Sequence, residues 1–220
     1  MAFDLLIGGK LVKGGGEAET IVNPATAKKV ASVPEATKAQ VNAAIDAADA
    51  AFESWSRTPP KDRGGLLLKL ADAIEANTEE LARLESTDTG HPLRDSRNLD
   101  APRTAVTFRY FGGMADKLEG TVVPVEKGFL NYVLREPIGV IGQIVPWNFP
   151  LMFTSWKLGP ALAAGNTVVM KAGDIAAMPA DIRHQGYSPK RSMLLVWENT
   201  NPGIAERHAK GEIPPYPVEF

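Results

Sequence analysis

One amide in this chain sits in an unusually stiff setting. Asn148 lies between Trp147 and Phe149, with Pro146 and Pro150 outside them, at the mouth of the apolar run "IGVIGQIVP". A strand that only has to end does so with glycine or a solvated turn. A rigid frame around a single amide points to a place where the position of that amide matters. Further on, Lys171 closes a second apolar run, "TVVMK". At the end of a nucleotide-binding strand a basic group can bond ribose hydroxyls or tolerate a 2′-phosphate; spacing alone leaves an ordinary solvated lysine equally open.

Other chemistries are poorly served. The 220 residues contain no cysteine, so disulfides, thiolate metal sites and a cysteine nucleophile are excluded within them. The three histidines, His91, His184 and His208, share no ligand spacing and are expected to be solvated or locally bonded, with no metal site. A formal net charge of −2 gives no electrostatic reason to expect nucleic acid or an anionic membrane as partner. The N-terminus "MAFDLLIGGK" lacks the pattern of a signal peptide, and no window resembles a transmembrane span. A cytoplasmic location is expected.

The elements that position these residues follow from periodicity. "FDLLIGGKLV" and "ETIVNPATAKKVASVP" read as β-hairpins, the second turning at Asn23-Pro24. Val41, Ile45, Ala48, Phe52 and Trp55 recur at helical spacing, with Thr37 or a neighbour as the cap. Two more helices are expected over "PPKDRGGLLLKLADAIEANTEELARLESTDTGHPL", the first starting at Pro60 and weakened by Gly64-Gly65. Asn77 and Glu80 have the spacing of a capping box for the second. A further helix, with aromatic packing, is expected over 101–117. "TVVPVEKGFLNYVLREP" alternates in twos and reads as an edge hairpin able to pair with another subunit. Strand, helix and strand then follow over 138–171, with Pro150 at the first helical position and Gly165 closing the helix. This is a βαβ crossover with two parallel strands. "IGVIGQ" is no dinucleotide fingerprint, because its glycines lie within the strand.

"PIGVIGQIVPWNFPLMFTSWKLGPALAAGNTVVMK" closely resembles the aldehyde dehydrogenase superfamily, with its PWNFP segment and NTVV-K strand. "IVNPATAKKV", "AAFESWSRTPPKDR", "LESTDTGHPL", "GTVVPV" and "LREPIGV" fall in the order of that family's N-terminal portion. The resemblance covers about residues 3–174 and leans towards the betaine-aldehyde and aminoaldehyde group. It implies an α/β fold: a partial aldehyde dehydrogenase fold, with an incomplete Rossmann-like parallel sheet, N-terminal helices and β-hairpins. The implied organisation is hairpins and helices over 1–118, an oligomerisation-type hairpin over 119–137, the first βαβ unit of the NAD-binding sheet over 138–174 and an unassigned tail over 175–220. By resemblance, Asn148 is the oxyanion-hole donor for a thiohemiacetal formed on a catalytic cysteine. Val145, Pro146 and Trp147 would line the NAD or NADP cleft. Lys171 would bond the adenosine ribose, and Asp174, in "KAGD" where the family has K-P-(S/A)-E, would take the glutamate's part. The betaine-aldehyde group further implies a monovalent cation held by backbone near Ile21 and Val22 with Asp88.

After Asp174 the resemblance stops, and six of the chain's 17 prolines crowd the remaining stretch. The family's general base and cysteine nucleophile are not found there. The sequence therefore reads first as an N-terminal fragment of an NAD(P)-dependent aldehyde dehydrogenase, inactive alone, as a frameshift would leave. An interaction module forming homo-oligomers, or hetero-oligomers with a full-length homologue, is the second reading. A nucleotide-binding module without catalysis is the third. Residues 175–220 are expected to be poorly ordered or to lie on the body without completing its sheet.

Overall fold

A computed structural model describes residues 4–172. Gly173, Asp174 and the tail over 175–220, on which the expectation of disorder falls, lie outside the described residues. Two hairpins come first, β1 (Leu5–Ile7) with β2 (Lys10–Val12) and β3 (Ala18–Val22) with β4 (Lys29–Pro34), both antiparallel. Helices α1 (Lys38–Arg57), α2 (Pro60–Ala76) and α3 (Thr78–Thr89) follow. Then α4 (Leu93–Asp95), a π-helical turn (Ser96–Asp100) and α5 (Ala101–Met114) run on without a break. The hairpin β5 (Thr121–Val123) with β6 (Asn131–Val133) precedes β7 (Val140–Val145), α6 (Pro150–Ala163) and β8 (Thr167–Ala172).

Local chemistry explains most of these boundaries. Thr37 accepts from the Gln40 amide while the Gln40 side chain accepts from the Thr37 amide, a reciprocal capping box for α1. The box expected at Asn77 and Glu80 does not form. Asn77 ends α2 as well as starting α3, and its side-chain amide turns back to donate to the Ala73 carbonyl at 2.8 Å. Despite Gly64 and Gly65, α2 runs unbroken from Pro60. Gly64 is there for approach: a Cβ on it would lie 2.4 Å from the Gly112 carbonyl oxygen of α5. The cost of a helical glycine, about 1 kcal/mol, is offset by two helices packing backbone to backbone.

The core is helical. Leu67, Ala71 and Ile74 of α2 meet Ala105 and Phe108 of α5, with Ala115 and with Ala163 of α6. Arg63 is buried among them, donating from Nε to the Ala163 carbonyl at 3.2 Å and from its other end to the Ser56 and Thr58 carbonyls. Burial lowers its pKa, and it stays a cation held by backbone dipoles. It ties the end of α1 to the end of α6.

The β7–α6–β8 unit carries the expected crossover. β7 and β8 are parallel, in register from Val140 opposite Thr167 to Val145 opposite Ala172. Two side chains fix the helix to the strands. Gln143 donates to the Lys157 carbonyl at 2.8 Å, and Asn166 accepts from the Ile138 and Gly139 amides at 2.7 and 3.1 Å. Gly165, at φ +91°, makes the left-handed exit from α6 that a side chain would strain. Among the described residues no helix is long and apolar enough to cross a membrane.

Candidate active site

The parallel register sets the C-terminal ends of β7 and β8 side by side, so Pro146–Asn148 and Lys171 emerge at one edge. Val145 is fully buried, which leaves its backbone as what it can offer to a ligand. Pro146 and Trp147 are half-buried, and Asn148 is exposed in a turn. Phe149, at φ −144° and ψ 60°, is the residue before α6, and Pro150 begins the helix where its missing N–H costs nothing. A row of edge-to-face aromatic contacts steadies the turn: His91 on Phe149 (4.5 Å between centroids), Phe149 on Phe153 (6.2 Å) and Phe153 on Trp156 (5.0 Å). The stiffness read from the prolines is therefore reinforced by a ring from another part of the chain.

Lys171 is engaged within the protein. Its Nζ lies 3.1 Å from an oxygen of Glu35, just beyond β4, in a pair open to solvent. Such a pair contributes about 0–1 kcal/mol and is readily exchanged for another acceptor. An open hollow of about 530 Å³ lies between the β1–β2 turn, α1 and β8. Its lining is mostly apolar, with Ala44, Ala47, Ala48, Val168 and Met170, and includes the hydroxyls of Ser54 and Thr167 but no titratable side chain.

Beneath the Asn148 turn lies a cluster that periodicity did not reveal. Glu85 of α3, His91 and Asp100 of the π-helical turn each bring a polar atom within 4.8 Å of the others. His91 Nδ1 is 3.1 Å from Asp100 Oδ2, the local bonding expected for this histidine. Glu85 and Asp100 are buried, and both Glu85 oxygens and Asp100 Oδ1 lack a hydrogen-bond partner of good geometry. Burial, and then the neighbouring Asp100 charge, push the Glu85 carboxyl up to about 7; His91 and the Leu151 backbone amide pull the other way. The signal was present in the sequence, since Glu85 falls on the buried stripe of α3 with Leu81 and Ala82. A carboxylate on an apolar stripe needs a partner. Ile21 and Val22 lie in β3, and Gly90, two residues past Asp88, packs against Pro24 of the following turn.

The comparisons with known proteins now have a site to bear on. A family model described as the aldehyde dehydrogenase family matches residues 11–182. The chain belongs to that family. It is 49% identical over 177 residues to a mitochondrial aldehyde dehydrogenase of Leishmania tarentolae, covering 80% of this chain and 36% of that protein. The crystal structure of PnpE in complex with nicotinamide adenine dinucleotide matches with a TM-score of 0.76 at 59% identity, covering 78% of this chain and 36% of that one. A betaine aldehyde dehydrogenase of Staphylococcus aureus, also holding NAD+, matches with a TM-score of 0.73 at 38% identity, covering 78% and 35%. The chain thus spans about a third of the length of the aldehyde dehydrogenases it resembles.

Proposed function

We propose that this chain provides the oxyanion donor and one wall of the NAD cleft of an aldehyde dehydrogenase, and that it does not oxidise aldehydes by itself. The observation that carries the reading is the Asn148 turn: an exposed amide fixed between a buried strand end and a proline-started, aromatic-braced helix. An amide held in that way donates to an oxygen as negative charge gathers on it, without having to reorganise. Lys171, on the adjacent strand end, would exchange Glu35 for the adenosine ribose. PnpE was crystallised with NAD, which favours NAD over NADP for this cleft. The thiolate that would form the thiohemiacetal is not among the 220 residues, so the covalent step must draw its nucleophile from elsewhere.

Two measurements test this. The isolated chain, given NAD+ and an aldehyde, should yield no NADH; robust turnover would reveal another nucleophile. Residues 11–172 of this chain, exchanged for the matching segment of PnpE, should give an active dehydrogenase in which Asn148→Ala lowers kcat by about 10²–10³-fold. An active chimera indifferent to that substitution would end the donor assignment.

A second reading rests on a different observation. Val122, Phe129, Leu130, Tyr132 and Leu134, on and around β5–β6, are exposed, Phe129 at 77%. A two-stranded hairpin with this apolar surface is poorly suited to standing in water alone. It supports assembly with a second copy or with a full-length homologue, to be measured by sedimentation of the chain alone and mixed with that homologue.

A further inference from the structure

The Glu85–His91–Asp100 cluster touches the Asn148 turn at two points. The His91 ring packs its edge against Phe149, which follows Asn148 directly. Glu85 faces the Leu151 amide, in the first turn of α6. Between these two points stands Pro150, so the segment from Asn148 to Leu151 has little freedom of its own. Whatever moves Phe149 and Leu151 moves the amide between them and the strand.

We propose that Glu85, His91 and Asp100 act as one positioning device for Asn148, setting the place of its amide according to the number of protons the cluster holds. The proposal rests on the reading of Asn148 as a donor for its functional meaning, though not for its physics.

The reason is a conflict of charge in a buried place. Two carboxylates lie close together, and beyond the Leu151 amide that Glu85 faces, both Glu85 oxygens and Asp100 Oδ1 lack a partner of good geometry. Ionising both without compensation is unfavourable there. The groups that face Glu85 can be enumerated: Asp88 from its own helix, His91 from the loop after α3, Asp100 from the π-helical turn, and from α6 only the backbone at Leu151. His91 is thus the one member able to bring positive charge. The first amides of a helix also attract negative charge. An ionised Glu85 therefore draws the start of α6 toward α3, and a neutral one releases it. The Glu85 carboxyl is pushed up to about 7, so the exchange falls in the neutral range. Neither Glu85 nor Asp100 reaches a reacting atom, and both act through Phe149 and Leu151.

The test is a pH titration of the whole ¹⁵N-labelled chain by nuclear magnetic resonance, from about pH 5.5 to about pH 8. The two side-chain amide signals of Asn148 are identified by their loss in Asn148→Asp. They should move together with the Leu151 backbone amide, with a shared midpoint near 7. Glu85→Gln should hold both still, and His91→Gln should raise the midpoint by removing an interaction that favours ionisation of Glu85. Asn148 signals that stay fixed while Leu151 titrates, or that still titrate in Glu85→Gln, would overturn the proposal. The wild-type titration and His91→Gln decide it even if Glu85→Gln does not fold. The readout involves no turnover, so a silent Asn148 leaves the donor role standing, and a failed donor role leaves the coupling standing.

Discussion

The α2–α5 contact and the β5–β6 hairpin are built from similar side chains and end in opposite conditions. In the first, Leu67, Ala71 and Phe108 are almost wholly removed from water, because Gly64 and Gly112 let two helices touch. In the second, Phe129 and Leu130 are about three-quarters exposed. Composition does not separate them; what does is whether a second surface lies within the described residues to close over them. The helical part closes over its centre, though Leu66, Val106 and Tyr110 on its outer faces stay exposed. The hairpin is a surface in search of another.

The most severe way to break this contrast is to attack the closed side. Phe108→Ala should cost about 4 kcal/mol, read as a fall in the urea midpoint at unchanged slope, because it empties a site in the centre of α2, α5 and α6. Gly64→Val should cost about 3 kcal/mol, since the added carbon meets the Gly112 carbonyl rather than a movable side chain. A small effect for either would mean that the helices are looser than their contacts imply.

Glu85 gives an effect of similar size that depends on pH. Its folded-state value, about 7, lies above the ordinary 4.5, so its contribution to stability is full below pH 4.5 and is lost as pH rises through 7. At about 1.4 kcal/mol for each tenfold change in proton affinity, the loss comes to about 3–4 kcal/mol. Glu85→Gln should accordingly gain stability relative to wild type at pH 8 and very little at pH 4.5, measured by urea unfolding at both. Equal differences at the two would remove the carboxyl from the account.

The smallest effects belong to the open side. Lys171→Met should change stability by less than about 1 kcal/mol, since its pair with Glu35 is solvated. The pair of substitutions Phe129→Ser and Leu130→Ser should leave the unfolding midpoint within about 0.5 kcal/mol while reducing association in sedimentation. A large drop in monomer stability would show that the hairpin is anchored to the body after all.

What could be read in advance follows the same division. The β7–α6–β8 unit was legible because the period of the sequence changes sharply at Pro146 and Gly165, and the parallel pairing follows from the length of the crossover. The Thr37 cap was legible because both halves of its box lie within four residues. Asn77 misled because one side chain served two helix ends and could bond at only one. The reason for Gly64 was not legible because it lies in Gly112, far along the chain. The π-helical turn left no periodic mark, and the helical segment begins well before the residues that signal α5. At the site, Asn148 announced itself through its prolines, whereas the cluster beneath it is assembled from three elements. Its histidine was expected to be solvated or locally bonded, but which partner it takes, Asp100, only the fold shows.

Asn166 carries one more consequence. Its side chain accepts from the amides that lead into β7 and donates to the Ala161 carbonyl near the end of α6, while its own backbone leads into β8. Three segments share one knot, so none can fray alone without breaking the bonds of the others. In hydrogen exchange the β7–α6–β8 unit should therefore open as a single cooperative block, and the rate at which Ile138 loses its proton should match that of the amides in the middle of the ladder. The edge that holds Asn148 is then as slow to come apart as the centre of the sheet.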